Sequence, residues 1–263
     1  MESIRLTHIG GPTTLIEIGP WRLLTDPTFD APGRRYYFGW GSGSRKVAGP
    51  AIAADDLAPI DAVLLSHDHH ADNLDDAGRA FLPKATVVIT TVSGARRLGA
   101  NARALAAWDS MQLRDASRPT LDITATPCRH GPPASHFLVG DAIGFALRWD
   151  AQQNGLLWVS GDTVLYDGVR EVAKRFRIGT AILHLGAVRF PVTGPLHYTM
   201  TARDAVDVCT LLQPRIAVPI HYEGWTHFKQ GRAAIAQAFA AAPRAVRDSV
   251  RWLPMGRAVE FDA

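Results

Sequence analysis

Histidine and aspartate side chains are concentrated in one short segment that directly follows an apolar run. Three imidazoles and three carboxylates occur within nine residues, namely His67, Asp68, His69, His70, Asp72 and Asp75. Imidazole nitrogens and carboxylate oxygens are the ligands that proteins use for zinc and related divalent cations. A charged surface turn is the alternative interpretation, but so dense a cluster favours a metal site.

Three more candidate ligands share one position, just beyond a predicted strand. His130, Asp162 and His221 follow strands that we predict to end at residues 126, 159 and 220. Rigid strands aim the side chains at their carboxyl ends into one crevice, so these residues should meet the histidine segment. Each residue alone could instead have a structural role, as a hydrogen-bonded histidine or, for Asp162, as a helix or turn cap.

Short apolar runs rich in β-branched residues recur along the chain and predict strands, and three segments of helical period predict helices. The helical segments lie at 169–176, 202–212 and 233–241. Thr201, with Asp204 in the opening turn, provides a start signal for the second helix. Strands dominate the first third and alternate with helices later, which predicts an α/β or α+β fold of one domain over residues 1–263.

A long loop is predicted at 31–50, where Gly and Pro residues interrupt any regular pattern. Loops of this length are often functional, so it is a candidate lid over a substrate site. It carries Arg34, Arg35, Arg45 and Lys46, and a solvated loop is favoured here over a contact with an anionic substrate. Exposed surfaces around this loop could also pair subunits in a homo-oligomer.

Composition excludes several classes of protein. The 263 residues are 47% hydrophobic and 20% charged, which suits a globular protein with a sizeable core. The formal charge of +3 comes without a basic block, so no nucleic-acid partner is expected. Two cysteines are too few for a disulfide scaffold, and no apolar run reaches about 18 residues. We therefore expect a soluble, cytoplasmic protein without stable membrane anchoring that acts on a small molecule.

In this order along the chain, the motifs resemble the metallo-β-lactamase superfamily, in particular the branch of ascorbate-phosphate lactonase and N-acyl-phosphatidylethanolamine phospholipase D. The resemblance spans nearly the whole chain. It is carried by the opening strand at 4–10, by the segment 24–27, by the histidine segment, and by His130, Gly161-Asp162-Thr163 and His221. The resemblance implies a four-layer αββα sandwich with metals at the shared edge of its two sheets.

The signature of this superfamily, His-x-His-x-Asp-His, is altered here. His67-x-His69 fits its first half, whereas His70-x-Asp72-Asn73 fits its second half, with one extra residue between and Asn73 in place of the last histidine. His67 and His70 are the favoured ligands, and His69 could substitute for His70 or orient a ligand.

The resemblance also assigns the ligands to individual ions. It implies that His67, His70 and His130 hold one metal, that Asp72 and His221 hold a second, and that Asp162 bridges them. Zinc is the expected metal, as one or two ions, because imidazoles dominate the ligands, and Mn²⁺ or Fe²⁺ would also be tolerated.

These features predict a metal-dependent hydrolase. Coordination lowers the pKa of a bound water from about 15.7 to about 7, so a metal-bound hydroxide, oriented by Asp72 and Asp162, would attack a carbonyl or phosphoryl centre. The carbonyl could belong to a lactone, an ester or an amide. A catalytically degenerate metal-binding or ligand-sensing protein of the same fold is the alternative, because Asn73 alters the signature.

Several residues near the proposed site could contact substrate or move a proton. His197 and His227 are the preferred additional catalytic candidates, and Asp26 could brace a ligand histidine from behind. The remaining candidates are His184, Tyr222, Glu223 and Trp225. Structural hydrogen bonding is the alternative role for each of them. A Ser-His-Asp triad at 66–68 is excluded, because three consecutive residues cannot adopt that geometry.

Overall fold

Strands whose residues are apolar on both faces form the centre of the fold. The computed structural model describes residues 3–39, 41–57, 59–133 and 135–262. The first sheet consists of β1 (Ser3–Gly10), β2 (Thr13–Ile18), β3 (Trp21–Thr25), β6 (Ile60–Leu64), β7 (Ala85–Thr91), β8 (Ala102–Leu105) and β15 (Ala258–Asp262). The second consists of β9 (Ser110–Asp115), β10 (Arg118–Pro127), β11 (Ile143–Arg148), β12 (Leu156–Val159), β13 (Ile178–His184) and β14 (Ile216–Ile220).

Both sheets are mixed. The first has the order β15-β1-β2-β3-β6-β7-β8, and the second has the order β14-β13-β12-β11-β10-β9. Strands β3, β6, β7 and β8 are parallel, as are β12, β13 and β14. All seven residues of β13 are buried, as expected for a central parallel strand that is covered on both faces.

The helices cover the outer faces of the two sheets. They are α1 (Asp76–Phe81), α2 (Val92–Leu98), α3 (His136–Val139), α4 (Asp167–Arg175), α5 (Ala202–Leu212), α6 (Arg232–Ala240) and α7 (Arg244–Ser249). One core cluster fills the space between the sheets, where Ile16 and Leu23 share a cluster with Phe145. Two further clusters join the sheets to their helices. The predicted four-layer αββα arrangement is confirmed.

The three predicted helices form with ends shifted by at most two residues. Helix α5 begins where the sequence predicts, because Thr201 accepts from the backbone N–H of Asp204 and the Asp204 carboxylate accepts from the N–H of Thr201, which makes a capping box. Among the described residues, none of the helices is long and apolar enough to cross a membrane.

The stretch 31–50 is not the structureless loop predicted from its Gly and Pro content. It contains a hairpin of β4 (Arg35–Gly39) and β5 (Ser42–Arg45). Trp40 lies outside the described residues. The hairpin packs on Trp225. Lys46 pairs with Trp225 through a backbone bridge, and Tyr36 packs edge-on against the Trp225 ring, with ring centroids 4.9 Å apart. Sequence periodicity misses it because these contacts join distant parts of the chain.

A buried ion pair anchors the hairpin to the start of α1. Lys46 Nζ lies 2.6 Å from Asp75 Oδ2, and the two side chains are 3% and 0% exposed. The Asp75 carboxylate also accepts hydrogen bonds from the backbone N–H groups of Phe29, Asp30 and Gly78 at 2.8–2.9 Å. Four donors therefore satisfy one buried carboxylate, as a buried charge requires.

Replacing Asp75 with alanine is expected to lower the free energy of unfolding by about 3–5 kcal/mol, because it leaves Lys46 as an unpaired buried charge. Urea unfolding measures the loss. The matched control is Asp76→Ala, since that carboxylate is 68% exposed and pairs with Arg34 at the surface, where a salt bridge contributes about 0–1 kcal/mol. Equal losses in the two variants would contradict an anchoring role for Asp75.

Candidate metal centre

Three imidazole nitrogens from two different loops converge at the mouth of the sandwich. His67 Nε2 lies 3.1 Å from His70 Nδ1, and His130 Nε2 lies 3.0 Å from the same atom. His67 and His130 are buried, and His70 is half-buried. Nitrogens about 3 Å apart can all lie about 2 Å from one ion, the distance that zinc keeps from imidazole. This group, called here the three-imidazole site, contains the residues that the sequence favoured for the first metal.

The outward-facing nitrogens fix the orientation of these rings. His130 Nδ1 donates to the backbone carbonyl of Tyr198 at 2.8 Å, which leaves the lone pair on Nε2 facing the centre. His67 Nδ1 lies 3.0 Å from Ser66 Oγ. Such outer partners select the tautomer that binds a metal.

Burial also keeps two of these imidazoles, those of His67 and His70, neutral. Burial, together with the neighbouring His70 and His130, holds the pKa of His67 well below its usual value. The same effects, burial first and His130 second, lower the pKa of His70 to about 3. Neutral imidazoles have the free lone pairs that a metal ion requires.

His69 does not join the three-imidazole site. Its side chain is 28% exposed and its Nδ1 lies 3.7 Å from Asp68 Oδ1, on the outer side of the loop. The backbone of the following residues turns back, with the N–H groups of Asn73 and Leu74 donating to the His70 carbonyl at 3.1 and 2.9 Å. This turn directs His70 inward and His69 outward, so the inclusion of His69 among the metal ligands is not supported by the geometry.

Asp162 occupies the middle of a second group of buried polar residues. It follows β12 through Gly161, whose φ of +60° and close approach to Ile143 leave no room for a Cβ. Its Oδ1 lies 3.0 Å from His184 Nδ1 and 3.6 Å from His221 Nδ1. Its Oδ2 accepts from Asn73 Nδ2 at 2.9 Å. The carboxylate predicted to bridge two metals thus contacts residues from three separate segments.

Asp72 links this second group to the hairpin. Its Oδ2 lies 2.8 Å from His227 Nε2 and 3.6 Å from His221 Nε2. The other nitrogen of His227, Nδ1, lies 2.5 Å from Ser44 Oγ on β5. His227 therefore connects the predicted ligand Asp72 to the hairpin that covers the site.

Buried atoms without partners are concentrated at this centre. Among the described residues they include Asp26 Oδ2, Asp72 Oδ1, Asn73 Oδ1, His184 Nε2 and His221 Nε2. Buried polar atoms normally have a hydrogen-bond partner. Unpaired carboxylate oxygens and imidazole nitrogens are the atoms that coordinate a divalent cation. The residues present therefore fit a metal centre.

The charges of the second group compensate one another. Burial would raise the pKa of Asp162, but the charge of His221 and the hydrogen bond with His184 outweigh it and hold the pKa below its usual value. Burial would lower the pKa of His221, but Asp162 and Asp72 raise it to about 9. The carboxylates are thus held ionised and ready to bind a cation.

Two residues of the centre adopt left-handed backbone conformations that are unusual for residues other than glycine. Asp26 has a φ of +31° and His221 a φ of +58°. Such strain costs about 1–3 kcal/mol per residue and persists where the surroundings impose it, often at functional sites. The backbone N–H of His221 donates to the Gly11 carbonyl at 2.9 Å, and Asp26 Oδ1 accepts from the Ser66 N–H at 2.6 Å.

Other sequence candidates lie away from the centre. His197 is half-buried, and among the described residues no hydrogen bond or ring contact joins it to the cluster, so its catalytic role stays a prediction. Tyr222 packs into the helix-covered core, and Glu223 faces His8 at 3.7 Å. Trp225 supports the hairpin. Sequence reasoning missed Ser44 and Phe38, because nothing in the hairpin's own sequence indicates contact with His227.

An apolar pocket opens above His70, Asp72 and His130. It contains about 540 Å³ of empty space, part of it open to solvent. Its walls are mostly aromatic and aliphatic side chains, including Phe38, Val139, Val188, Phe190, Val192 and Tyr198. Among the described residues that line it, none is lysine or arginine.

Comparison with known proteins places the chain in a family. A family model described as beta-lactamase superfamily domain matches residues 21–222. A protein from Opitutus terrae named metal-dependent hydrolase is 28% identical over 264 residues, which cover 98% of this chain and 100% of the relative. The chain therefore belongs to the metallo-β-lactamase superfamily, and its class is that of the metallo-hydrolases.

Solved structures share the whole fold. An isothiocyanate hydrolase from Delia radicum gut bacteria has a TM-score of 0.80 and 24% identity, covering 98% of this chain and 99% of its own. A possible metal-dependent hydrolase from Veillonella parvula has a TM-score of 0.81 and 18% identity, covering 97% and 98%. At these identities the likeness establishes the fold.

Proposed function

We propose that the protein hydrolyses a small uncharged electrophile, bound in the apolar pocket above the metal centre. The observation that carries the proposal is the contrast between the pocket's apolar walls and its polar floor of His70, Asp72 and His130. A pocket of this kind binds an uncharged molecule through burial of apolar surface, while a few polar groups orient it. The electrophilic centre would then face the metal.

The walls favour a carbonyl-type carbon over a phosphoryl centre. Sites that bind phosphoryl groups use arginine, lysine or clustered backbone N–H groups to stabilise the charged oxygens. The described lining residues include neither basic type. Lactones, esters, amides and isothiocyanates are therefore the substrate classes we propose, and the name of the structural relative from gut bacteria makes isothiocyanates the first to test.

His67, His70 and His130 would hold one divalent cation, and Asp72, Asp162 and His221 would contribute to a second. Zinc is the metal we propose, because imidazole nitrogens dominate the donor set. A bound cation at this position supplies Lewis acidity and lowers the pKa of a coordinated water. The protein's own residues orient the reactants and move the proton.

We assign the role of holding that proton to His227. Its ring lies between Asp72 Oδ2 and Ser44 Oγ, at 2.8 and 2.5 Å, and stacks on Phe190 at 5.2 Å. A proton on Nε2 is donated to Asp72, and a proton on Nδ1 is donated to Ser44. Phe38, half-buried over His70 and His227, excludes water from the same region.

The test compares substrates on protein that has been freed of metal and then reloaded with zinc. Aryl and alkyl isothiocyanates, γ-lactones and uncharged esters form one panel, and bis(4-nitrophenyl) phosphate is the phosphodiester control. At least one uncharged substrate should be hydrolysed with a kcat/KM at least about 100-fold above the phosphodiester, and removal of metal should abolish it. Faster hydrolysis of the phosphodiester, or full activity without metal, would overturn the proposal.

Replacing Phe38 with alanine is expected to lower kcat/KM for an apolar substrate about 10–100-fold, because the substrate would bury this half-buried ring and burial of an aromatic side chain contributes about 1.5–3 kcal/mol. The Phe38 ring lies 5.3–5.6 Å from the rings of His227, His70 and Phe190. Tyr37→Ala is the matched control, since Tyr37 points to the other face of β4 and is 73% exposed. Steady-state kinetics decide, and equal losses in the two variants would contradict a role for Phe38 in the pocket.

A further inference from the structure

The second metal group lacks one imidazole of the superfamily signature, because Asn73 stands in its place. Asn73 Nδ2 donates to Asp162 Oδ2 at 2.9 Å, so its amide group faces the carboxylate, and its Oδ1 is buried without a partner. A neutral amide oxygen is a weaker ligand than an imidazole nitrogen for zinc. The group would therefore be short of one strong donor if no other residue supplied it.

A histidine that the signature does not include lies directly beside this position. His184 is the last residue of β13, pairs across the sheet with Ile220, and so stands next to His221. Its side chain is completely buried, and its ring stacks on that of His221 with centroids 5.3 Å apart. Its backbone is fixed by a hydrogen bond from its N–H to Ser160 Oγ at 2.9 Å.

We propose that His184 is a metal ligand and that Asp162, His184 and His221 together bind the second cation. Potential ligand atoms of the three residues all lie within 4.8 Å of one another. Asp162 Oδ1 is 3.0 Å from His184 Nδ1, a separation that allows both atoms to lie about 2.0–2.2 Å from a shared ion. His221 would offer Nε2, which has no partner, since its Nδ1 faces the Leu185 carbonyl at 3.4 Å. His184 then supplies the imidazole that Asn73 lacks. The inference rests on the metal dependence proposed above.

The second ring nitrogen of His184, Nε2, favours metal binding by Nδ1 over a simple hydrogen bond from Nδ1 to Asp162. If Nδ1 donated a proton to Asp162, Nε2 would be a bare acceptor in a buried site, and it has no partner. If Nδ1 binds a metal, Nε2 carries the proton and faces Asp26 Oδ2 at 3.8 Å, an oxygen that is also without a partner. Carboxylate, histidine and metal in this order form the usual arrangement around ligating histidines.

The charge of the group also suits a divalent ion. Asp72 and Asp162 lie 3.6 Å from His221, and Asp26 faces the far side of His184 at 3.8 Å. His184 and His221 would bind the ion as neutral imidazoles. Asp72 Oδ1, buried and unpartnered, remains available to the same ion. The donor set then has two imidazoles and two carboxylates, without any contribution from the Asn73 amide.

Metal stoichiometry provides the first test. Wild type, His184→Gln and the double variant Asn73→His with His184→Gln are loaded with zinc, and bound metal is measured by elemental analysis and by chelator competition. We expect two equivalents in the wild type, with the second weakened more than about 100-fold in His184→Gln, beyond the 10–100-fold effect of a residue that only orients a ligand. The double variant should regain the second equivalent, because it returns the imidazole to position 73.

Nuclear magnetic resonance on the wild type provides a test that needs no variant. The protein is labelled with nitrogen-15 histidine and loaded with an NMR-active cadmium isotope. One-bond coupling between cadmium and His184 Nδ1 is the expected result, and its absence in protein with both sites filled overturns the inference. An unweakened second equivalent in His184→Gln overturns it as well.

The outcomes separate this inference from the proposed function. If the three-imidazole site fills and supports hydrolysis while His184 shows no coupling, only the assignment of His184 fails. If neither site takes up metal, the metal-dependent function fails too.

Discussion

Alanine at position 70 is expected to lower kcat/KM at least about 10³-fold, whereas alanine at position 69 leaves it within a few-fold of wild type. His70 Nδ1 lies 3.0–3.1 Å from both His67 Nε2 and His130 Nε2, so its removal leaves the first metal with two ligands. A metal ion contributes several kcal/mol of transition-state stabilisation, and each 1.36 kcal/mol corresponds to a tenfold change in rate.

The two variants form a matched pair, because the two residues are adjacent and each substitution removes an imidazole side chain. His69 is partly exposed and contacts the outer side of the loop. Kinetics with the best substrate and elemental analysis are measured together, and His70→Ala should lose bound zinc in parallel with activity. If His69→Ala were the variant that lost metal, the assignment of the three-imidazole site would be wrong.

This pair also shows what the sequence could and could not establish. The density of imidazoles and carboxylates after an apolar strand predicted the metal site, and the resemblance ordered its ligands. The choice between His69 and His70 depends on how the extra residue of the loop is accommodated. Two backbone hydrogen bonds to the His70 carbonyl make that turn, and nothing in the segment's composition specifies them.

Elements whose own sequence carries the signal were predicted well. Helix α5 has an apolar face and a capping box at its start, and strand β13 contains the buried apolar run Ala181–Leu183. The hairpin of β4 and β5 carries no comparable apolar run in its sequence. It is held by distant residues, since Tyr36 packs on Trp225 and Lys46, directly after β5, pairs with Asp75. Long-range contacts of this kind stabilise an element that local propensity does not predict.

The metal centre follows the same division. His130, Asp162 and His221 each follow a strand end, and the topology brings these ends to one edge of the sandwich. His184 also ends a strand, but its role depends on a neighbour, since only the pairing of β13 with β14 places it beside His221. From the sequence, Asn73 therefore indicated only that one ligand is missing. The structure shows His184 beside that position as a candidate replacement.

Replacing Asp162 with asparagine is expected to remove the second metal and to lower kcat/KM at least about 10³-fold. Asp162 is completely buried and contacts His184, His221 and Asn73, so its charge is available only to the polar group around it. Asparagine keeps the shape of the side chain but removes the negative charge that neutralises a divalent ion. The loss should therefore come from metal binding and chemistry, with little change in the fold.

Asp68→Asn separates this effect from the cost of removing any buried carboxylate of the region. Asp68 belongs to the same histidine segment and its side chain is 2% exposed, but it pairs with Arg97 at 2.6 Å outside the metal centre. Breaking that pair should reduce the free energy of unfolding while bound zinc stays at its wild-type level. Both variants are compared by elemental analysis for bound zinc, by kinetics for activity and by urea unfolding for stability. If Asp162→Asn retained two equivalents and full activity, Asp162 would be a structural cap, as its position after a strand also allows.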